Sequence, residues 1–303
     1  MKRILFFLFP LLLVGAVEAT SLDELSGSLL AELEQSTYGI TRSGAMVDRL
    51  AGLEVDLVGG QQKGATLTRL YDLRALIFGP GPQALTYKLS VLEWHVLEQQ
   101  SVLPLTRRLS ALEAAFLGES QLGTGSIQER INNLLSAAFG KAELSTAQSL
   151  LRQWTPIDVE LLTTIDSGSV SPGQLADYKV KRDVISEGRL LIPAGTAGQG
   201  KIVKVSRAGY YGKAGNVEIN FGTIQALDGT KVSLAPRKTL WNKDEQYLRL
   251  AIGLSMGGML ITGKVSGAAL GFLVRGNQIF IPQGTELALE VTEPVELVGL
   301  IIN

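Results

Sequence analysis

Apolar and polar positions change period once along this 303-residue chain, near residue 150. Before that point the pattern repeats about every twenty residues. The unit is leucine, two residues, leucine, three residues, an apolar position, one residue, glycine. Three copies are complete: Leu50, Leu53, Leu57, Gly59; Leu70, Leu73, Ile77, Gly79; and Leu109, Leu112, Phe116, Gly118. Two are weaker, Leu30, Leu33, Thr37, Gly39 and Ile131, Leu134, Ala138, Gly140. A sixth, Leu89, Leu92, Val96, carries Glu98 where the glycine belongs. Apolar residues at i, i+3 and i+7 mark one face of a helix. A glycine just beyond suits the left-handed position that ends one, and Gly79-Pro80-Gly81-Pro82 cannot continue a helix. The pattern predicts six helices of about three turns over residues 20–150. Short helices are marginal alone, so they must pack on one another or on another chain, which favours an elongated or oligomeric arm.

Charges ride on this repeat. Arg49, Lys88 and Arg108 precede the first leucine, and Glu54, Glu93 and Glu113 follow the second. With the leucines at heptad positions a and d, these are positions g and e. Two readings stay open: solvated flanks of an amphipathic helix, or pairs between parallel helices of a self-associating bundle.

From about Val159 the period becomes that of strands, with turn signals every ten residues or so, as in a sandwich or barrel. Candidate strands are 160–164, 175–180, 189–192, 200–208, 216–225, 231–234, 278–281 and 287–291, with Asp228-Gly229 as a hairpin turn. One unit occurs twice, Ile192-Pro193-Ala194-Gly195-Thr196 and Ile281-Pro282-Gln283-Gly284-Thr285. Pro193 and Pro282 suit the second position of a type I turn, and Gly195 and Gly284 the fourth. Residues 195–201 approach a phosphate-binding loop, but Ile202 stands where a magnesium-binding hydroxyl is needed and a strand follows instead of a helix. No nucleotide is expected.

Residues 247–274 are apolar and glycine-spaced. Gly253 and Gly257 are four apart, as are Gly263, Gly267 and Gly271. Such a stripe lets helices approach closely, a device of membrane helices. Strand patterns on both sides imply that the insert leaves and returns on one side, as a helical hairpin that turns near Lys264. It either enters a bilayer or packs inside the protein. Each arm of ~14 residues spans about 20 Å, short of a hydrocarbon core of about 30 Å.

At the amino end, Lys2 and Arg3 precede an apolar run over residues 4–17, and Val17-Glu18-Ala19 offers a cleavage site. Residues 1–19 read as a secretory signal peptide, placing the mature chain outside the cytoplasm. The organisation is then signal peptide 1–19, helical repeats 20–150, and a β domain 151–303 with its insert: an α+β multidomain chain.

Composition narrows the chemistry. There is no cysteine and one histidine, His95, which removes thiol nucleophiles, disulfides and multi-His metal sites. Lys plus Arg is 28 against 29 Asp plus Glu, so nothing favours nucleic acid. Mean hydropathy is +0.21, too apolar for a disordered chain. Asp166 and Asp183 are the best acid–base candidates, and no spacing ties them together. No catalytic residue, cofactor or metal is expected.

The order of a strand pair, residues 191–196, residues 217–221, Asp228-Gly229, the apolar insert and residues 281–287 resembles the C-terminal domain of TrbI-like conjugation and type IV secretion proteins. It is also similar to exported envelope proteins that carry a glycine zipper before the second turn unit. The resemblance covers residues 159–300. It implies a β-barrel bearing a helical hairpin, with rings of hairpins crossing the outer membrane. In place of the inner-membrane helix and proline-rich linker of the secretion proteins, this chain has a signal peptide and leucine repeats. The expected functions are therefore an outer-membrane-associated envelope scaffold that self-assembles, with other envelope proteins as possible partners; an oligomeric channel or secretion component; or a secreted or surface binding protein.

Overall fold

The computed structural model describes residues 22–118, 123–208, 215–237, 248–249 and 278–302. The insert glycines Gly253, Gly257, Gly263, Gly267 and Gly271, and residues 1–19, where a signal peptide is expected, lie outside these. Among the described residues are six α-helices: α1 (Leu22–Tyr38), α2 (Met46–Val58), α3 (Thr66–Phe78), α4 (Leu85–Leu92), α5 (Leu105–Leu117) and α6 (Ile127–Phe139). A π-helical turn, Glu93–Leu97, extends α4.

The leucines of the repeat are buried and merge into one core drawn from all six helices. Because α1 packs on α5 and α2 on α6, as well as on their sequence neighbours, the array folds back on itself and is not an extended arm. Phe116 is the exception to the pattern, exposed at the end of α5. Helix α4 is buried on two faces. Leu85, Leu89 and Leu92 point into the bundle, while Ala84, Tyr87 and Val91 face the β domain. A helix with apolar side chains on two faces belongs between layers.

The repeat glycines play more than one part. The N–H groups of Gly39, Gly59, Gly79 and Gly118 each donate to the carbonyl four residues back. Gly39, Gly59 and Gly140 take positive φ near 80°. Gly118 has φ 88° with an extended ψ of 153°. Gly79 departs from the expectation, with φ −56°; there a Cβ would sit 2.3 Å from the Ala75 carbonyl oxygen, so close approach and not handedness requires glycine. In the copy that lacks glycine, Glu98 itself is left-handed, with φ 52°.

The β region contains β1 (Thr146–Leu151), β2 (Pro156–Leu161), β3 (Ile165–Asp166), β4 (Leu175–Val180), β5 (Val184–Ser186), β6 (Arg189–Ile192), β7 (Ala197–Ser206), β8 (Asn216–Asn220), β9 (Thr223–Gln225), β10 (Lys231–Pro236), β11 (Leu248–Arg249), β12 (Phe280–Ile281), β13 (Glu286–Val291) and β14 (Val295–Ile301). All pairings are antiparallel. Strands β7-β4-β2-β13-β10-β9 close on themselves through Gly198 and Ile224 as a six-stranded barrel, and β8 and β11 extend outward from β7. The span expected as one strand at 216–225 is two, because Gly222 turns the chain with φ 63°.

A four-stranded sheet, β1-β14-β6-β5, lies between barrel and bundle. Neighbouring residues on a strand face opposite ways. Leu191 and Leu297 accordingly enter the barrel core, whereas Leu190 and Leu300 meet α4. β1 crosses the expected boundary at residues 150 and 151. Its whole length is tied to the C-terminal strand by the ladder from Thr146 opposite Leu300 to Leu151 opposite Val295.

Candidate functional surfaces

Four glutamates of the helical repeat are buried without leaving any charge unpaired. Glu34, Glu54, Glu93 and Glu113 are at most 1% exposed, and each meets an arginine of the following repeat: Arg49, Arg69, Arg108 and Arg130. The pairs are bidentate. Arg69 Nε and Nη2 donate to the two Glu54 carboxylate oxygens at 2.7 and 2.6 Å. In three of the repeats the same carboxylate also accepts a loop N–H eight residues on, from Arg42, Gln62 and Ser101. One acidic side chain thus fixes both the next helix and the loop leading to it. These charge-assisted bonds are intramolecular, so the charges do not serve pairing between chains.

The third repeat breaks the series. Arg74 stands where four of the other copies have glutamate and reaches Glu32 at the surface. Lys88, in the place of arginine, is buried and donates to Asn132 at 2.9 Å; desolvation holds its ammonium below the usual lysine range.

The two turn units are related by an approximate twofold. In each, the threonine N–H and Oγ1 both donate to the proline carbonyl, at 3.3 and 2.7 Å for Thr196 and 3.2 and 2.7 Å for Thr285. Gly195 N–H donates to Val180 O and Gly284 N–H to Leu161 O. Three residues beyond those carbonyls, Asp183 Oδ1 accepts from Ala194 N–H and Thr164 Oγ1 from Gln283 N–H. Gly195 and Gly284 occupy the third turn position with φ 81° and 85°. That is the type II arrangement, which needs a left-handed residue there, and not the type I expected. Because β2 and β4 are antiparallel neighbours, with Leu161 opposite Tyr178, the turns stand at opposite ends of the barrel. Asp183 and Asp166 are therefore also at opposite ends, and Asp166 Oδ1 accepts the Gly168 N–H.

The first turn is covered by the bundle. Trp94 Nε1 donates to Asp183 Oδ2 at 2.9 Å, and a Cβ on Gly195 would lie 2.8 Å from the Gln100 nitrogen. The π-helical turn places Trp94 here while Glu93 points back to Arg108. His95 is exposed, its ring 4.6 Å from that of Phe139. Among the described residues the second turn is uncovered: none lies within 4 Å of a Cβ on Gly284, Pro282 and Gln283 are exposed, and Phe280 is 62% exposed.

This end is where the chain departs toward, and returns from, residues 250–277. β11 runs antiparallel to β8, with Leu248 opposite Ile219 and Arg249 opposite Glu218, so at Arg249 the chain is heading toward Gly215. On the return, Ile279 N–H donates to Ser167 Oγ at 2.8 Å, and the Gln278 side chain accepts from Ser167 Oγ and from Ala208 N–H. A Cβ on Gly215 would fall 2.5 Å from Ser167 Oγ and 3.2 Å from Ile279 N. Glu218 and Gly215 are three residue steps apart, so departure and return lie roughly 10 Å apart.

Among the described residues no group of His, Asp and Glu is placed to hold a metal ion, and no helix is long and apolar enough to cross a membrane. A surface groove of about 480 Å³ between α5 and α6 is lined by Glu113, Leu117, Thr124, Arg130 and Leu134, and its two charges already bind each other. Neither a protein-family model nor a curated protein matches the chain.

Proposed function

We propose that the chain is a non-enzymatic, exported protein of the cell envelope of a two-membrane bacterium. In this reading it associates with the outer membrane through residues 247–274 and self-assembles as a scaffold. The observation that carries the reading is the position of the insert's flanks. Arg249 and Gln278 lie at one end of a closed barrel, so an apolar, glycine-spaced segment starts and finishes at the same place. A single crossing would separate its ends by the bilayer thickness, about 30 Å, against the roughly 10 Å between these flanks. An excursion that enters and comes back suits both the spacing and the stripe of glycines.

The test is membrane fractionation with a carbonate wash, followed by native mass in detergent. The protein should stay with the outer membrane and run as an oligomer. Gly267→Leu adds bulk where a second helix approaches, at about 1–3 kcal/mol, and should lower the oligomer population roughly tenfold or more. Cysteines placed at Asp244 and Asn277 of this cysteine-free chain should react alike with an impermeant thiol reagent; opposite labelling would overturn the excursion.

A second reading is favoured by the combination of a closed barrel and such an excursion, the arrangement implied by the resemblance to TrbI-like secretion proteins. In that reading the oligomer is a channel, and single-channel conductance of the purified protein separates the two.

A further inference from the structure

We infer that a pocket where bundle and β domain join, walled by Lys88 and Glu143, binds a small zwitterion of the α-amino acid class. The ligand's carboxylate meets the Lys88 ammonium, and its amino group meets the Glu143 carboxylate. This is independent of the membrane reading. The break in the helical repeat supplies the charge. At four links of the series the cation before a first leucine is neutralised by a glutamate of the preceding repeat. At the remaining link the preceding position is Arg74, which turns to Glu32 at the surface. Lys88 keeps the buried place, 8% exposed, without the counter-ion that goes with it. Among the described residues its hydrogen-bond acceptor is Asn132 Oδ1, a neutral oxygen, and an ammonium has three protons to donate. A buried charge is ordinarily paired, so this place is short of one anion.

Beside Lys88 there is room for one. A pocket of about 210 Å³ is lined by Pro82, Gln83, Lys88, Ala142, Glu143 and Leu144, and one water takes ~30 Å³. Pro82 and Gln83 belong to the loop that enters α4, and residues 142–144 to the segment that joins α6 to β1. Glu143 is exposed, and its charge acts on the Lys88 ammonium. The two charges do not pair directly with each other among the described residues, so each keeps hydrogen-bonding capacity for a ligand. A simple anion near Lys88 is repelled by Glu143, and a simple cation near Glu143 by Lys88. A molecule that carries both charges satisfies both walls through charge-assisted hydrogen bonds. It also bridges α4 and the segment between α6 and β1, the one covalent link between the bundle and the β domain.

The experiment is titration calorimetry of the full-length protein with glycine, and with acetate and methylammonium as its two halves. Glycine should bind saturably at one site. Acetate and methylammonium should each bind at least about tenfold more weakly, because each lacks one charge-assisted contact. Glu143→Gln, a change at an exposed side chain, should weaken glycine by roughly tenfold or more and leave acetate no weaker. Lys88→Met, which puts an apolar side chain of similar length in the buried place, should abolish binding of glycine and of acetate; Glu143→Gln alone decides the matter if that variant does not fold. Saturating glycine should also slow protease cutting between Phe139 and Thr146 in the wild type and not in Glu143→Gln. Absence of saturable glycine binding overturns the inference. Acetate that binds as tightly as glycine overturns the zwitterion assignment, and a Glu143→Gln variant that binds glycine like the wild type overturns the placement of the ligand.

Discussion

At the scale of single residues, the repeat is held by carboxylates placed inside a leucine core. A buried charge is tolerable only when paired and hydrogen-bonded, and Glu54 has both Arg69 and the Gln62 N–H. Glu54→Ala strands Arg69 near the core and should cost about 3 kcal/mol, read by denaturant unfolding. Glu54→Gln keeps a loop acceptor and should cost less. Tyr178 makes a different prediction. Burial holds its phenol well above the ordinary value of 10.0, and its hydroxyl donates to Phe221 O at 2.8 Å. The folded state therefore keeps a proton that the unfolded state releases. The contribution is complete below about pH 10 and is lost as pH rises from there toward the folded value. Tyr178→Phe should flatten the fall in stability above pH 10, measured by melting at successive pH. The Glu–Arg pairing was legible as a fifteen-residue spacing from Glu34 to Arg49, Glu54 to Arg69 and Glu93 to Arg108. The five-residue spacing within one helix hid it, because heptad logic looks for partners on another chain.

Elements show how far local pattern reaches. α2, α3, α5 and α6 are each thirteen residues long, as a twenty-residue period with a short loop demands. Strands β4 and β6 match the expected 175–180 and 189–192. β1 and β14, which pair across most of the β domain's sequence, were not foreseen. β1 reads TAQSLL and is an edge strand of its sheet, so it carries little alternation of its own. In β7, Gly198 lies opposite Tyr178, and a Cβ there would sit 2.3 Å from the tyrosine ring. Gly198→Ala should displace that ring from the barrel core and cost about 1–3 kcal/mol by overpacking. A thermal melt checks this, with Gly173→Ala, where nothing lies within 4 Å, as the comparison for backbone strain alone.

The whole molecule is polar, with the bundle at one end of the barrel and the flanks of the apolar insert at the other. Bundle and barrel share a small core of Ala84, Tyr87, Val91, Leu190, Leu227 and Leu300 and the Trp94–Asp183 hydrogen bond. The halves should therefore unfold together. Trp94→Phe removes a bond to a charged acceptor, worth about 1.5 kcal/mol. It should increase protease cutting between Phe139 and Thr146 while leaving each half folded. Unchanged cutting would mean that the shared apolar core alone joins them.

Read from residues in order, the chain determined its helix period, its change to strands, its two turn units and the apolar character of residues 247–274, because each depends on neighbours a few positions apart. Tertiary structure decided which glutamate meets which arginine, that the helices close into a bundle, that Gly79 is needed for space, and that one turn is covered while its twin, among the described residues, is not. Those outcomes join residues such as Trp94 and Asp183, 89 positions apart, through packing and antiparallel register, and no local spacing encodes a contact of that separation.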